Sequence, residues 1–261
     1  MNPYYEEEGI VIYNADCLEV MPQLERVDLV VTSPPYDNLR EYKGYSFNFE
    51  DIAKELFKCV SIGGVVVWVV GDATINGSET GTSFKQALYF KEIGFNLHDT
   101  MIYQKKSCYA HDPRNKRYKA MFEYMFIISN GKPKTYNEIK DVPNKHAGKI
   151  LKGTAGRDKQ GKKRKLKPIV ISDFQARSNI WVIPSSEKSN HPAIFPKKLA
   201  YDHIVSWSNK EEIILDPMCG SGTTLCACKE LTRRGIGIEI SKEYCDIAIS
   251  RLRNTQKDMF L

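Results

Sequence analysis

Ile213-Ile214-Leu215-Asp216-Pro217-Met218-Cys219-Gly220-Ser221-Gly222-Thr223-Thr224 runs from an apolar stretch through a glycine turn into a helical pattern. The apolar stretch reads as a buried strand, and Pro217, which has no N–H for a ladder, ends it. Gly220 and Gly222 allow a tight turn and a close approach of a ligand to the backbone. The helix that opens at Thr223 turns unpaired N–H groups toward a carboxylate or phosphate. A second strand follows at 235–240 and carries Glu239, 23 residues after Asp216. An acid at that place suits the two hydroxyls of a ribose. Strand, glycine turn, helix, strand and terminal acid together make a nucleotide-type unit. GSG is neither the GxGxxG of a pyrophosphate site nor a P-loop. Taken alone, the two glycines also read as a purely structural turn.

The same alternation extends along the chain. Strands are expected at 10–13, 28–32, 65–70, 100–104, 121–128, 179–183, 212–215 and 235–240. Helical spacing covers 51–60, 83–93, 196–207, 223–233 and 242–252. The run VVVWVV at 65–70 has no polar face, as in a strand covered on both sides. Strands alternating with helices imply an α/β fold with a doubly wound, mostly parallel sheet, in which ligands sit at the carboxyl ends of the strands. From 131 to 178 the periodicity fades into Lys, Gly, Pro and Asn, so this stretch is read as a long loop or small subdomain.

A second motif, Thr32-Ser33-Pro34-Pro35-Tyr36, sits at the end of another buried strand. Two prolines stop that strand and aim a carbonyl rigidly. The residue types fit chemistry on the exocyclic amino group of a nucleobase, whose nitrogen lone pair is delocalised into the ring. The Ser33 hydroxyl and the Pro34 carbonyl can accept the amino hydrogens and draw the nitrogen toward a pyramidal form. Tyr36 offers a face to a base taken out of the duplex. This is positioning and electrostatics without a covalent intermediate. A packing tyrosine after a proline-rich turn is the alternative. Methylation at cytosine C5 would need a cysteine nucleophile in a Pro-Cys pair, and the chain has none.

Net charge is +6 and unevenly distributed: residues 145–167 carry ten Lys or Arg against Asp158, leaving the remainder at −3. A basic segment on a mildly acidic body points to a local polyanion contact, or else to a solvated charged loop. Seven cysteines, an odd number scattered through the chain, are expected as free thiols in a reducing cytoplasm. Cys219, Cys226 and Cys228 lack zinc-ligand spacing and a nearby histidine, so no metal is expected. The N-terminal residues do not resemble a signal peptide, and no apolar run approaches a membrane span.

Taken together, the two motifs resemble the β group of DNA amino-methyltransferases, in which the catalytic motif precedes the cofactor motif. TSPPY resembles the catalytic motif, LDPMCGSGTT the cofactor loop and GIGIEIS the ribose motif. Asn14-Ala15-Asp16-Cys17 resembles the adenine-side loop, MFEYMFIISNG the strand before target recognition, and His191-Pro192-Ala193-Ile194-Phe195-Pro196 the segment closing over the methionine moiety. Met218 stands where the family usually has an aromatic residue, and Phe195 where many relatives have Lys.

The resemblance implies a Rossmann-like methyltransferase fold with a doubly wound, mostly parallel seven-stranded sheet and permuted motif order. It implies one catalytic domain over residues 1–261 with a basic target-recognition insertion at about 131–178. The expected cofactor is S-adenosyl-L-methionine, bound by Asp16, Cys17, Phe195, Asp216, Gly220, Ser221, Gly222, Thr223, Glu239 and Ile240. Ser33, Pro34, Pro35 and Tyr36 are the expected catalytic set. DNA contacts are expected from Arg40, Tyr42, Lys43, Arg114, Arg117, Lys162, Lys163, Arg164, Lys165 and Arg177. Double-stranded DNA is the expected partner; a cognate restriction endonuclease and a homodimer are both compatible. In this family Ser before Pro-Pro-Tyr favours cytosine N4 over adenine N6. An RNA base methyltransferase and a catalytically dead nucleic-acid-binding module are the competing readings.

Overall fold

The structure, a computed structural model, describes residues 1–35, 47–106, 114, 116–151, 156–157, 159–164, 168–184 and 196–256, and leaves out the side chains of Arg157, Lys163 and Arg164. The described residues divide into two compact units, residues 1–137 with 179–261, and residues 138–178.

The first unit is built on one sheet. Its strands are β1 (Tyr5–Glu7), β2 (Ile10–Tyr13), β3 (Val27–Thr32), β4 (Val60–Val70), β5 (Asn96–Lys105), β6 (Phe122–Ser129), β7 (Ile180–Ile183), β8 (Ile213–Asp216) and β9 (Arg234–Ile238). Their spatial order is β1-β2-β9-β8-β3-β4-β6-β5-β7. Neighbours from β2 to β4 are parallel, as are β5 and β7; β6 runs antiparallel to both β4 and β5. The expected sheet of seven strands is therefore one of nine. Seven form its body, and a short strand is added at each edge. Tyr5–Glu7 turns back on β2 through Glu8 and Gly9, both at positive φ, a turn that no apolar pattern announces.

Six helices are described: α1 (Cys17–Val20), α2 (Phe49–Cys59), α3 (Thr82–Glu92), α4 (Lys197–Trp207), α5 (Thr223–Glu230) and α6 (Lys242–Arg253). They pack in two groups, α1 to α3 and α4 to α6. In β4, alternate residues Val66, Trp68 and Val70 enter a cluster with Ile52 and Leu56 of α2 and Phe90 of α3. Val65, Val67 and Val69 point to the opposite face and are equally buried. No helix among the described residues is long and apolar enough to cross a membrane.

Several boundaries differ from the sequence reading. Gly63-Gly64 does not precede β4 but lies within it. Val27 pairs with Val60 and Leu29 with Val65, so the strand bulges between them. Gly63 sits at φ +81, and a Cβ on Gly64 would lie 2.8 Å from Val60 Cγ1. Helix α5 stops at Glu230 rather than 233 because Thr232 takes a left-handed φ of 57° on the way into β9. Residues 131–137, read as the start of the insertion, belong to the first unit. Lys134 pairs with Asp28 at 2.6 Å and Glu212 at 3.2 Å, and Asn137 donates to the Val205 and Ser208 carbonyls, both at 3.1 Å.

The second unit, Glu138–Ser178, is a nested antiparallel ribbon. Lys140–Pro143 pairs with Phe174–Ala176, Ile150–Leu151 with Ile169–Val170, and Gly156–Arg157 with Lys163–Arg164. The last of these pairs, Gly156–Arg157 with Lys163–Arg164, belongs to the basic run.

Candidate active site at the strand ends

Four adjacent parallel strands, β2, β9, β8 and β3, end side by side. Register pairs Ile238 with Tyr13, Asp216 with Gly237, and Leu215 with Val30. The segments leaving these ends are Asn14–Cys17, Glu239–Ser241, Asp216–Gly222 and Ser33–Pro35. The chain leaves β8 toward β9 on one side and leaves β3 toward β4 on the other. The β8/β3 boundary is therefore a topological switch point, where open α/β sheets form their ligand crevice.

Hydrogen bonds tie the two motifs across that boundary. Thr32 Oγ1 donates to Asp216 Oδ1 at 2.8 Å. Thr224 Oγ1 donates to the Val31 carbonyl at 3.3 Å, and Met218 N–H to Asp216 Oδ1 at 3.3 Å. Burial raises the Asp216 carboxyl to about 6, even though the Thr224 and Thr32 hydroxyls and the Met218 N–H favour its charged form. In the turn beyond β3, Pro34 is buried while Ser33 and Pro35 are half-buried.

The acid after β9 holds the glycine turn. Gly220 N–H donates to Glu239 Oε2 at 2.9 Å, and Ser241 N–H to Oε1 at 2.8 Å. Both carboxylate oxygens thus accept backbone N–H groups, with Ile240 N–H as a further donor to the group; a carboxylate offers about four acceptor positions, so it can still take a hydroxyl. Burial raises the Glu239 carboxyl above its ordinary value, against these N–H donors. Asn14 Nδ2 donates to the Glu239 carbonyl at 2.9 Å and the Ile240 carbonyl at 3.0 Å, closing β2 onto β9. Asp16 caps α1 by accepting Leu18 N–H at 2.8 Å, and burial pushes the Cys17 thiol up to about 12.

The two glycines have different surroundings. A Cβ on Gly220 would meet nothing within 4 Å, so its outer side is open. A Cβ on Gly222 would lie 2.7 Å from Ala248 Cβ, and its N–H donates to the Cys219 carbonyl at 2.8 Å. Close approach of a ligand is therefore a property of Gly220, and close approach of α6 a property of Gly222. Ser221 and Thr223 are buried and both accept from Arg251 of α6.

The expected DNA-contact residues are more scattered. Arg117 is engaged by Glu79 at 3.3 Å and the Gly77 carbonyl at 2.6 Å, and Arg177 forms a two-pronged ion pair with Asp141, Nε to Oδ1 at 2.8 Å. Arg114 and Lys162 are exposed; Lys163 and Arg164 lie in a ribbon strand. Tyr36, Arg40, Tyr42, Lys43, Lys165 and Phe195 lie outside the described residues. Groups of His, Cys, Asp and Glu able to hold a metal are absent among the described residues.

Thr32, Thr224, Asn14 and Arg251 were missed as site residues. The first three stand inside the quoted motifs. Arg251 has no motif around it, and only the packing of α6 brings it to the loop.

A family model described as DNA methylase matches residues 27–250. The orphan methyltransferase M.BamHII of Bacillus amyloliquefaciens is 55% identical over 238 residues, covering 87% of this chain and 89% of that one. The type II methyltransferase M.ScaI of Streptomyces caespitosus is 26% identical over 99% of this chain and 86% of its own. Among solved structures, the M1.HpyAVI–SAM complex aligns with a TM-score of 0.64 at 26% identity, over 93% of this chain and 100% of that one.

Proposed function

The chain belongs to the N6/N4 DNA methylase family and is a DNA amino-methyltransferase; from that premise we propose that it methylates cytosine N4 in double-stranded DNA, using Ser33, Pro34 and Tyr36 on the base and the Asp216–Thr223 loop with Glu239 on the cofactor. S-adenosylmethionine is the methyl donor, in keeping with the SAM complex of the M1.HpyAVI neighbour. The observation that carries the proposal is the Thr32–Asp216 hydrogen bond at the switch point, which sets the Ser-Pro-Pro turn beside the glycine turn.

The residues present fit that cofactor. The Glu239 carboxylate, held by backbone N–H groups at the end of β9, is an acceptor suited to ribose hydroxyls. The open side of Gly220 lets a ligand approach the backbone. Bound there, S-adenosylmethionine supplies an electrophilic methyl group on a positively charged sulfur. The chain's own work is positioning. The Ser33 hydroxyl and Pro34 carbonyl accept the amino hydrogens, which localises the nitrogen lone pair. Tyr36 holds the extruded base by stacking. Cytosine N4 is chosen over adenine N6 on Ser33, the acceptor that the sequence places first in the motif.

The basic ribbon, Glu138–Ser178, is the proposed target-recognition unit. A two-stranded antiparallel ribbon is narrow enough to enter a major groove. Lys163 and Arg164 lie in its innermost strand pair, in the same basic run of sequence as Lys162 and Lys165; Arg177, held by Asp141, stiffens its base. In partnership, the relative at 55% identity is named an orphan and the one at 26% a type II enzyme. We accordingly place this chain with enzymes that act without a cognate endonuclease.

The experiment is digestion of DNA methylated by the purified protein to nucleosides, weighed by mass spectrometry. N4-methyl-2′-deoxycytidine as the product, reduced about 100-fold or more in single turnover by Ser33→Ala with S-adenosylmethionine affinity nearly unchanged, is the expected outcome. N6-methyladenine as the sole product overturns the base assignment alone. A wild-type single-turnover rate in Ser33→Ala removes Ser33 from the mechanism.

A further inference from the structure

We infer that Arg251, in the last turn of α6, is a positioning residue for the cofactor loop, an inference that rests on the reading of that loop as the S-adenosylmethionine site. One guanidinium nitrogen of Arg251 donates to the Ser221 carbonyl at 2.6 Å, Ser221 Oγ at 2.8 Å and Thr223 Oγ1 at 3.1 Å. These acceptors bracket Gly222, whose missing side chain is replaced by Ala248 one turn earlier on α6. Ala248 and Arg251 are spaced i, i+3 and so share a face of the helix. α6 therefore grips the back of the turn, while Glu239 holds its front through Gly220 N–H.

The location of the charge is informative. α5 begins at Thr223 with Gly222 as its N-cap, and no side chain caps it. The N-terminal end of a helix carries partial positive charge, so a cation there opposes the helix dipole. Arg251 is thus ill placed for stabilising α5 alone, and its three acceptors offset an electrostatic cost. What the arrangement does serve is an anionic ligand group. It adds positive potential to the first turn of α5 and fixes the direction of the N–H groups there, without placing a side chain on the open side of Gly220. The carboxylate of the methionine moiety is the anionic group that this end of the loop would face. Arg251 lies just beyond the matched stretch 27–250.

Because all three contacts converge on one nitrogen, a lysine ammonium with three donors can replace them, whereas an apolar side chain of similar length cannot. The test compares Arg251→Met and Arg251→Lys in the full chain, by calorimetric S-adenosylmethionine binding and steady-state kinetics, with circular dichroism and thermal melts as the check on folding. Arg251→Met should raise the Kd and KM for S-adenosylmethionine by about tenfold or more. It should leave kcat at saturating cofactor within about twofold, the signature of lost ground-state binding. Arg251→Lys should recover most of the affinity. Folded Arg251→Met with wild-type affinity overturns the inference, and so do equal losses in Met and Lys variants, which would mean packing only. If Arg251→Met does not fold, Arg251→Gln decides, since it keeps a polar side chain on α6 but lacks the charge and the reach to serve all three acceptors. A rise in KM of about threefold supports the inference, and none overturns it. Glu239→Ala separates the levels: if it too leaves cofactor affinity unchanged, the reading of the loop has failed rather than the role of Arg251.

Discussion

Asp216 is held among β3, β8 and α5 with 5% of its surface exposed, and burial raises its carboxyl from 3.8 to about 6. The raised value has a definite consequence for stability. Between about pH 4 and pH 6 the folded chain binds a proton at this site that the unfolded chain has released, so this group's contribution falls as pH rises through that window. Above the window, the charged buried form costs roughly 2–3 kcal/mol relative to the protonated one. Asp216→Asn keeps an acceptor for Thr32 Oγ1 and cannot ionise. The stability of the variant relative to wild type should therefore increase from pH 4 to pH 6 and level off above pH 7, as read by urea unfolding across that range. A pH-independent difference would show that Asp216 keeps an ordinary carboxyl in the fold.

At the scale of elements, the proposed cofactor loop depends on two glycines that have different surroundings. Gly222 at φ +75 lets α6 approach, and Gly220 at φ +49 faces open space. Gly222→Ala must adopt a left-handed backbone and also push Ala248 away. It should destabilise the protein by about 2–4 kcal/mol, the sum of a backbone penalty and overpacking. Gly220→Ala meets no neighbour, so it should cost about 1 kcal/mol of stability and instead weaken S-adenosylmethionine binding. Denaturant unfolding and calorimetry on the pair check this. Equal stability losses in both variants would contradict the division of roles. The long apolar strand shows a similar local choice. Its core residues were legible as VVVWVV, but the bulge at Gly63-Gly64 depends on Val60 pairing with Val27 across the sheet. That pairing is non-local and leaves no periodic trace.

On the whole molecule, charge is concentrated in the ribbon unit, with +9 on residues 145–167 against −3 elsewhere. Exposed apolar residues on it, such as Ile150, Leu151, Ile169 and Val170, show that this two-stranded element buries little core of its own. A basic ribbon of this kind is suited to a polyanion. Replacing Lys162, Lys163, Arg164 and Lys165 together by Ala should reduce the slope of log K against log salt for DNA binding by up to about 3–4, with about 0.9 for each lost phosphate contact. An unchanged slope would make the run a solvated loop.

The sequence by itself determined the fold class, the order of the motifs and the place of each at the end of a strand, because strand and helix periods and turn chemistry are local properties. It also marked Glu239, since an acid after the second strand of a βαβ unit has a fixed place in such a unit. Only the tertiary structure decided the edge strand β1, the place of β7 at the opposite edge, the extent of β4, and the start of the ribbon at Glu138 rather than 131. It alone separated Gly220 from Gly222 and brought Arg251 to the loop. These features depend on which surfaces meet across a sheet or between helices. Arg251 is 30 residues from Ser221 along the chain, and only the packing of α6 against α5 brings their atoms within hydrogen-bond reach.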